Sequence, residues 1–244
     1  MLVRVGAFNN STPVADQSLP RAVLWDMDGT LVDTEPYWID AEYDIVEAHG
    51  GTWSHEHAKA LVGSDLLDSG EYIRRHGGVD RSPAEIVEML LDRVVARVRA
   101  EIPWRPGARE LLGAVRSADI DTALVTMSWK RFSDEVVACL PAGSFTVSVT
   151  GDEVTRGKPH AEPYLLAAER LGVRPEDCVV IEDSPTGTRS ALAAGCRVLG
   201  VPHVVDIPAE LGENPEFAGR LTVLPTLTGL QLDDLVRIFD RMGQ

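Results

Sequence analysis

The stretch VLWDMDGTLVDTE, residues 23–35, decides the fold. Its first half is a continuous apolar run without in-out alternation, the pattern of a strand buried on both faces. Where that strand ends, Asp26 and Asp28 stand one residue apart, followed by Gly29 and Thr30. Side chains two residues apart on leaving a strand project to the same side, so both carboxylates can flank one reacting centre. Gly29 lets the backbone turn sharply and approach a ligand closely.

The first run, Ala22–Asp26, is followed by others of strand length at Asp121–Thr126, Phe145–Val149, Cys178–Glu182 and Arg197–Val201. Helices are expected near Gly107–Ala118, Trp129–Leu140, Glu162–Leu171 and Pro185–Ala194. Such alternation predicts an α/β fold, a doubly wound, Rossmann-like parallel sheet with helices on both faces. Between Glu35 and Trp104 the rhythm breaks, and only helical periodicity remains, over Tyr37–His49, Ser54–Leu61, Leu66–His76 and Pro83–Ala100. This interval reads as an inserted all-helical cap subdomain. The expected plan is an N-terminal arm over 1–20, a core from 21–34 and 105–244, and a cap over 35–104. Hinges fall near Thr34-Glu35 and Ile102–Pro106, where Pro103 and Pro106 stiffen the return.

With 44% hydrophobic residues among 244, the chain has ample material for a packed core. A formal net charge of −15 repels nucleic-acid backbones and anionic membrane surfaces, so neither is an expected partner. No run approaches the ~18 consecutive apolar residues of a membrane span, and the N-terminus lacks a signal-peptide core, so a cytoplasmic protein is expected. A monomer is the expected state. Cys139, Cys178 and Cys196 show no zinc or redox spacing and read as buried free thiols.

In open parallel sheets ligands bind beyond the carboxyl ends of the strands. Those ends carry Asp26 and Asp28, Thr126-Met127-Ser128, Gly157-Lys158-Pro159 in the loop after the third run, and Glu182-Asp183-Ser184. Several carboxylates in one pocket repel unless a cation joins them, and oxygen ligands suit Mg²⁺. Mg²⁺ and Lys158 would supply the positive charge this acidic chain otherwise lacks, and phosphate is the natural anion for such a site. Hydroxyl and backbone N–H donors at Thr126–Ser128 and at the turn Met27–Gly29 suit its oxygens. One aspartate can attack phosphorus while the other moves protons. Each cluster alone has a plainer reading: a turn, a surface lysine, or a cap on the helix that Pro185 opens. Their convergence on one rim argues for a site. His55, His57, Arg74 and Arg75 read as solvated helix residues. Trp25 and Trp129 read as packing residues, with Trp129 and Lys130 placed to border the pocket.

DMDGT at 26–30, Thr126 after an apolar strand, Lys158 in GKPHAEPY, and Glu182-Asp183 in VVIEDSPTGTRSALAAG resemble the four ordered motifs of the haloacid dehalogenase superfamily. The helical insert is similar to the cap of its first subclass, which includes sugar-phosphate phosphatases and beta-phosphoglucomutase. The resemblance implies that Asp26 is the nucleophile and Asp28 the general acid/base, whose carbonyl also meets Mg²⁺. It implies that Thr126 binds the phosphoryl group, Lys158 stabilises it, and Asp183 ligates the metal, with Glu182 a ligand or supporting group. Met127, Ser128 and Gly29 complete the substrate-binding candidates.

The activity so implied is a Mg²⁺-dependent phosphatase acting on a small phosphorylated metabolite, such as a sugar phosphate, through an aspartyl-phosphate. The alternative is a phosphomutase, whose cap carries arginine in a Gly-x-x-Arg loop. Here the corresponding Leu61-Val62-Gly63-Ser64-Asp65-Leu66 has none. Dehalogenation would leave Asp28 without a purpose, and phosphonate cleavage would need a Schiff-base lysine, for which Lys59 is the sole cap candidate. A catalytically silent binding module ranks last.

Overall fold

Strand β1 (Ala22–Trp25) is followed by the four helices of the insert: α1 (Glu35–Ala48), α2 (His55–Leu61), α3 (Leu66–His76) and α4 (Pro83–Ala100). Then come α5 (Ala108–Ser117), β2 (Asp121–Val125), α6 (Lys130–Cys139), β3 (Val147–Val149), α7 (Glu162–Leu171) and β4 (Cys178–Glu182). The chain closes with α8 (Pro185–Ala193), β5 (Arg197–Gly200), α9 (Glu210–Glu213), β6 (Leu221–Val223) and α10 (Leu232–Arg241). The computed structural model describes residues 19–61, 66–208 and 210–242. Most of the expected N-terminal arm, and residues 62–65 of the loop compared with Gly-x-x-Arg, lie outside them.

All six strands are parallel, in the order β3-β2-β1-β4-β5-β6. Alternate residues of each strand serve opposite faces. Val23, Trp25, Val179 and Ile181 pack with Leu111, Leu235 and Phe239 on one side. Ala22, Leu24, Val180 and Val198 pack with Tyr164, Ala167 and Ala191 on the other. Burial on both faces is why these strands read as unbroken apolar runs. The doubly wound parallel sheet with a helical insert is the architecture expected.

The sixth strand, β6, and the helices α9 and α10 were not anticipated. β6 has three residues, none buried, at the sheet edge, so it leaves no apolar run to read. In α10, Leu235, Val236 and Phe239 are buried at helical spacing, a pattern that is legible in the sequence. Two further expectations need correction. Cys139 is exposed, because it ends α6, whereas Cys178 and Cys196 are buried as free thiols. His57 is half-buried rather than solvated, its ring tilted 4.7 Å from Trp53 and its Nδ1 beside the Ser54 hydroxyl.

Sheet order reverses between β1 and β4, since strands two and three lie on one side of β1 and strands four to six on the other. Such a switch point opens a crevice beyond the strand ends. There the chain leaves β1 in a tight turn closed by Gly29 N–H to Val32 O (2.8 Å) and Val32 N–H to Met27 O (3.1 Å). The chain leading into α1 and the chain returning from α4 hold one another, through Asp33 N–H to Pro103 O (2.8 Å) and Arg105 N–H to Leu31 O (3.0 Å). Among the described residues no helix is long and apolar enough to cross a membrane.

Candidate active site

Asp26 follows the last residue of β1, and its N–H still reaches Ile181 O on β4 at 3.1 Å. That ladder bond places Asp26 beside the end of β4, where Glu182 and Asp183 emerge. Lys158 comes from the loop before α7 and is buried with them. Its ammonium uses its three protons on Asp26 Oδ1 (2.6 Å), Glu182 Oε1 (2.7 Å) and Val125 O (2.9 Å). The nitrogen also lies 5.0 Å from the Tyr164 ring centroid, within cation–π range. Burial works against the lysine's charge, but Asp26 and Glu182 outweigh it and hold its pKa above the ordinary lysine value.

The second aspartate sits in different surroundings. Asp28 Oδ1 accepts from Thr34 Oγ1 at 2.5 Å, and Oδ2 from Ser128 Oγ at 2.7 Å and Thr126 Oγ1 at 3.4 Å. Burial raises its pKa, and these three hydroxyls oppose the rise. Thr126 Oγ1 in turn accepts from Ser128 N–H at 3.0 Å, which folds the chain after β2 over the carboxylate. Met127 turns its sulfur to Lys158 N–H at 3.2 Å, so its side chain braces the lysine loop.

Glu182 is buried and fully engaged: Oε1 also accepts from Tyr164 OH at 2.8 Å, and Oε2 from Ser184 Oγ at 3.1 Å. Asp183 accepts from Thr30 Oγ1 at 3.3 Å. Two glycines make the close approach possible. A Cβ on Gly29, at φ +88°, would lie 2.3 Å from Asp183 Oδ2, and one on Gly187 would lie 1.7 Å from Glu182 Oε1. Gly29 therefore contributes backbone shape, its N–H being spent on Val32.

One oxygen each of Asp26, Glu182 and Asp183 lie within 4.8 Å of one another. Burial, with repulsion from Glu182, pushes Asp183 up to about 7. Asp26 is raised as well, by burial and then by Glu182 and Asp183, against the pull of Lys158. Four carboxylates facing one ammonium leave surplus negative charge, which a divalent cation would neutralise. An all-oxygen donor set fits Mg²⁺ better than a softer metal.

The structure thus brings together Asp26, Asp28, Lys158, Glu182, Asp183, Thr126, Ser128, Met127 and Gly29 on one rim. Elsewhere, Lys130 is exposed and paired with Asp134, and Arg74 and Arg75 are paired with Glu71. Thr34, Thr30, Tyr164 and Gly187 were missed. Tyr164 lay in the quoted GKPHAEPY, but nothing local signals that its hydroxyl crosses to Glu182. Gly187 had a signal, a glycine in the first turn of a helix directly after two acids.

A buried lysine spanning two carboxylates at the switch point of a parallel sheet, with a helical insert after the first strand, defines a class. The chain belongs to the haloacid dehalogenase-like hydrolases, whose family model matches residues 20–195. It is 36% identical over 200 residues to hexitol phosphatase A of Escherichia coli (strain K12), spanning 77% of this chain and 86% of that one. It is also 36% identical over 185 residues to a phosphorylated carbohydrates phosphatase of Thermotoga maritima, covering 75% and 85% of the two chains. Among solved structures, CbbY from Rhodobacter sphaeroides in complex with phosphate superposes with a TM-score of 0.71 at 30% identity, over 87% of this chain and 96% of that one.

Proposed function

We propose that this chain is a Mg²⁺-dependent phosphatase that hydrolyses a small phosphorylated carbohydrate through an aspartyl-phosphate on Asp26. The observation that carries the reading is the contrast between the two aspartates. Asp26 touches the buried ammonium of Lys158, whereas Asp28 touches only hydroxyls. Lys158 at contact pulls Asp26 toward the ionised, attacking form against burial and the neighbouring carboxylates, and a bound Mg²⁺ would add to that pull. A buried carboxyl without a cation at contact favours holding a proton.

In the first step an Asp26 carboxylate oxygen forms a bond to phosphorus, and the ester P–O bond breaks. The leaving alkoxide takes the Asp28 proton. In the second step water attacks the acyl phosphate, Asp28 takes the proton of that water, and inorganic phosphate leaves as Asp26 is restored. Lys158 neutralises phosphoryl charge, and the Thr126 and Ser128 hydroxyls are placed to turn from Asp28 to phosphoryl oxygens. Asp26, Asp183 and the Asp28 carbonyl, with Glu182 supporting, would hold Mg²⁺, which when bound would supply Lewis-acid neutralisation of phosphoryl charge. The relatives named for hexitol and carbohydrate phosphates support a polyol or sugar leaving group.

A panel of hexitol, hexose and pentose phosphates, with phosphoglycolate for comparison, assayed for phosphate release with Mg²⁺ and with EDTA, tests this reading. Release from a carbohydrate phosphate in Mg²⁺ alone is expected. No release from any of them contradicts it, as does conversion of a sugar 1-phosphate to its 6-phosphate without free phosphate, the outcome for a mutase.

A further inference from the structure

The helical insert does not simply hang from its two linkers. Helix α4, its last, lies against α6, the helix of the sheet domain that follows Thr126-Met127-Ser128. Arg131 on α6 pairs with both Glu88 and Asp92 of α4, the latter at 2.5 Å. Nearer the linker, Arg99 of α4 makes a two-pronged pair with Glu135 of α6, at 2.8 and 2.6 Å. Beside these pairs, Trp38 of α1 meets Phe132 of α6 edge to face, with ring centroids 5.3 Å apart.

The positions of these pairs along α4 matter. The helix ends at Ala100, where the chain returns to the sheet domain. At 1.5 Å per residue, Arg99 lies at that pivot, Asp92 about 12 Å from it and Glu88 about 18 Å. A rotation of the insert about its linkers leaves Arg99–Glu135 nearly in place and moves Glu88 and Asp92 most. Arg131 is therefore the contact most sensitive to the angle of the insert. It is also three residues from Ser128, whose hydroxyl holds Asp28. The N-terminus of α6 is itself fixed, by Lys130 N–H to Asp152 Oδ1 at 2.9 Å.

We propose that Arg131 is a positioning residue, which by gripping Glu88 and Asp92 sets the angle at which the insert closes over the Asp26–Asp28 site. Exposed ion pairs add little to overall folding. A hinge between two arrangements of similar free energy needs only a small bias, and two carboxylates one helical turn apart give one guanidinium a defined place to dock. Because the pairs are exposed, salt screens them and loosens the grip. The activity readout below rests on the phosphatase reading, whereas the distance readout does not.

The test is a charge-swap cycle: Arg131→Glu alone, Glu88→Arg with Asp92→Arg, and all three together. Spin labels on the native Cys139, the sole exposed cysteine among the described residues, and on Asp80→Cys ahead of α4 report the insert angle. Arg131→Glu is expected to shift or broaden the label distances and to lower kcat/KM at least about tenfold, carried mainly by KM. The triple variant is expected to restore both to within about threefold, and 1 M NaCl is expected to broaden the wild-type distances. Unchanged distances in Arg131→Glu overturn the proposal even if no substrate is found. Shifted distances or lost activity that the triple variant fails to recover overturn it as well. If the distances respond as expected while no phosphorylated carbohydrate is hydrolysed, the phosphatase reading fails and the positioning role stands.

Discussion

Thr34 Oγ1 donates to Asp28 Oδ1 at 2.5 Å, joining the first residue of the linker to the carboxyl assigned to proton transfer. The hydroxyl stabilises the ionised form and so holds down a pKa that burial raises. Thr34→Val keeps the shape and removes the donor. The Asp28 pKa then rises further, and the alkaline fall of kcat/KM, which reports loss of the essential acid proton, moves to higher pH. A pH profile of kcat/KM for both proteins checks this, and a shift to lower pH contradicts it.

Buried Glu42 on α1 accepts from the Trp53 indole N–H at 3.1 Å. Burial pushes its pKa from 4.5 up to about 8. Between those values the folded chain keeps a proton that the unfolded chain has released, so stability falls as pH rises through the window and levels off above it. Allowing for solvent near the carboxyl, the loss is on the order of 1–3 kcal/mol. Glu42→Gln keeps an acceptor for Trp53 and removes the titration. Urea melts should show wild type and variant similar near pH 4.5 and the variant more stable at pH 8.5; parallel curves contradict the assignment.

Gly187→Ala and Gly113→Ala should act in opposite directions. A methyl on Gly187 would displace the Glu182 carboxylate from Lys158, and breaking a buried pair costs about 3–5 kcal/mol. Activity should fall with it. Gly113 sits inside α5 with no atom within 4 Å of a Cβ, so alanine there should stabilise by about 0.5–1 kcal/mol. Thermal melts of the two variants check the pair.

Removing metal should be felt in stability as well as in rate. At a hundredfold excess over Kd, Mg²⁺ adds about 2.7 kcal/mol. For a chain of this size that corresponds to a Tm rise of about 5–10 °C. Asp183→Asn should abolish the rise. A Tm indifferent to Mg²⁺ in the wild type contradicts the cation site.

Much of this was legible in the sequence for a physical reason. Strands buried on both faces are apolar along their length, so Ala22–Trp25 and Cys178–Ile181 stood out, and the buried acids at their ends, Asp26 and Glu182, need a partner such as Lys158. Lys158 was legible because phosphate chemistry in an acidic chain demands a local cation. Apart from α10 and Gly187, what escaped depends on three-dimensional partnership. Tyr164 looks like any aromatic on a buried helix face until its hydroxyl is found on Glu182, and Thr34 like any residue before a helix. Thr126 and Ser128 read as phosphate donors, and their present contact with Asp28 could not be inferred from spacing alone.

The central claim, that Asp26 carries the phosphoryl group, is tested most directly by trapping it. Enzyme mixed with a hydrolysed substrate and Mg²⁺, quenched in acid and reduced with borohydride, should yield homoserine at position 26, the product expected of an acyl phosphate. Asp26→Asn should release no phosphate, with a loss of at least about 10³-fold in kcat. Turnover by wild type with position 26 recovered unmodified, together with phosphate release by Asp26→Asn at the wild-type rate, would contradict the account.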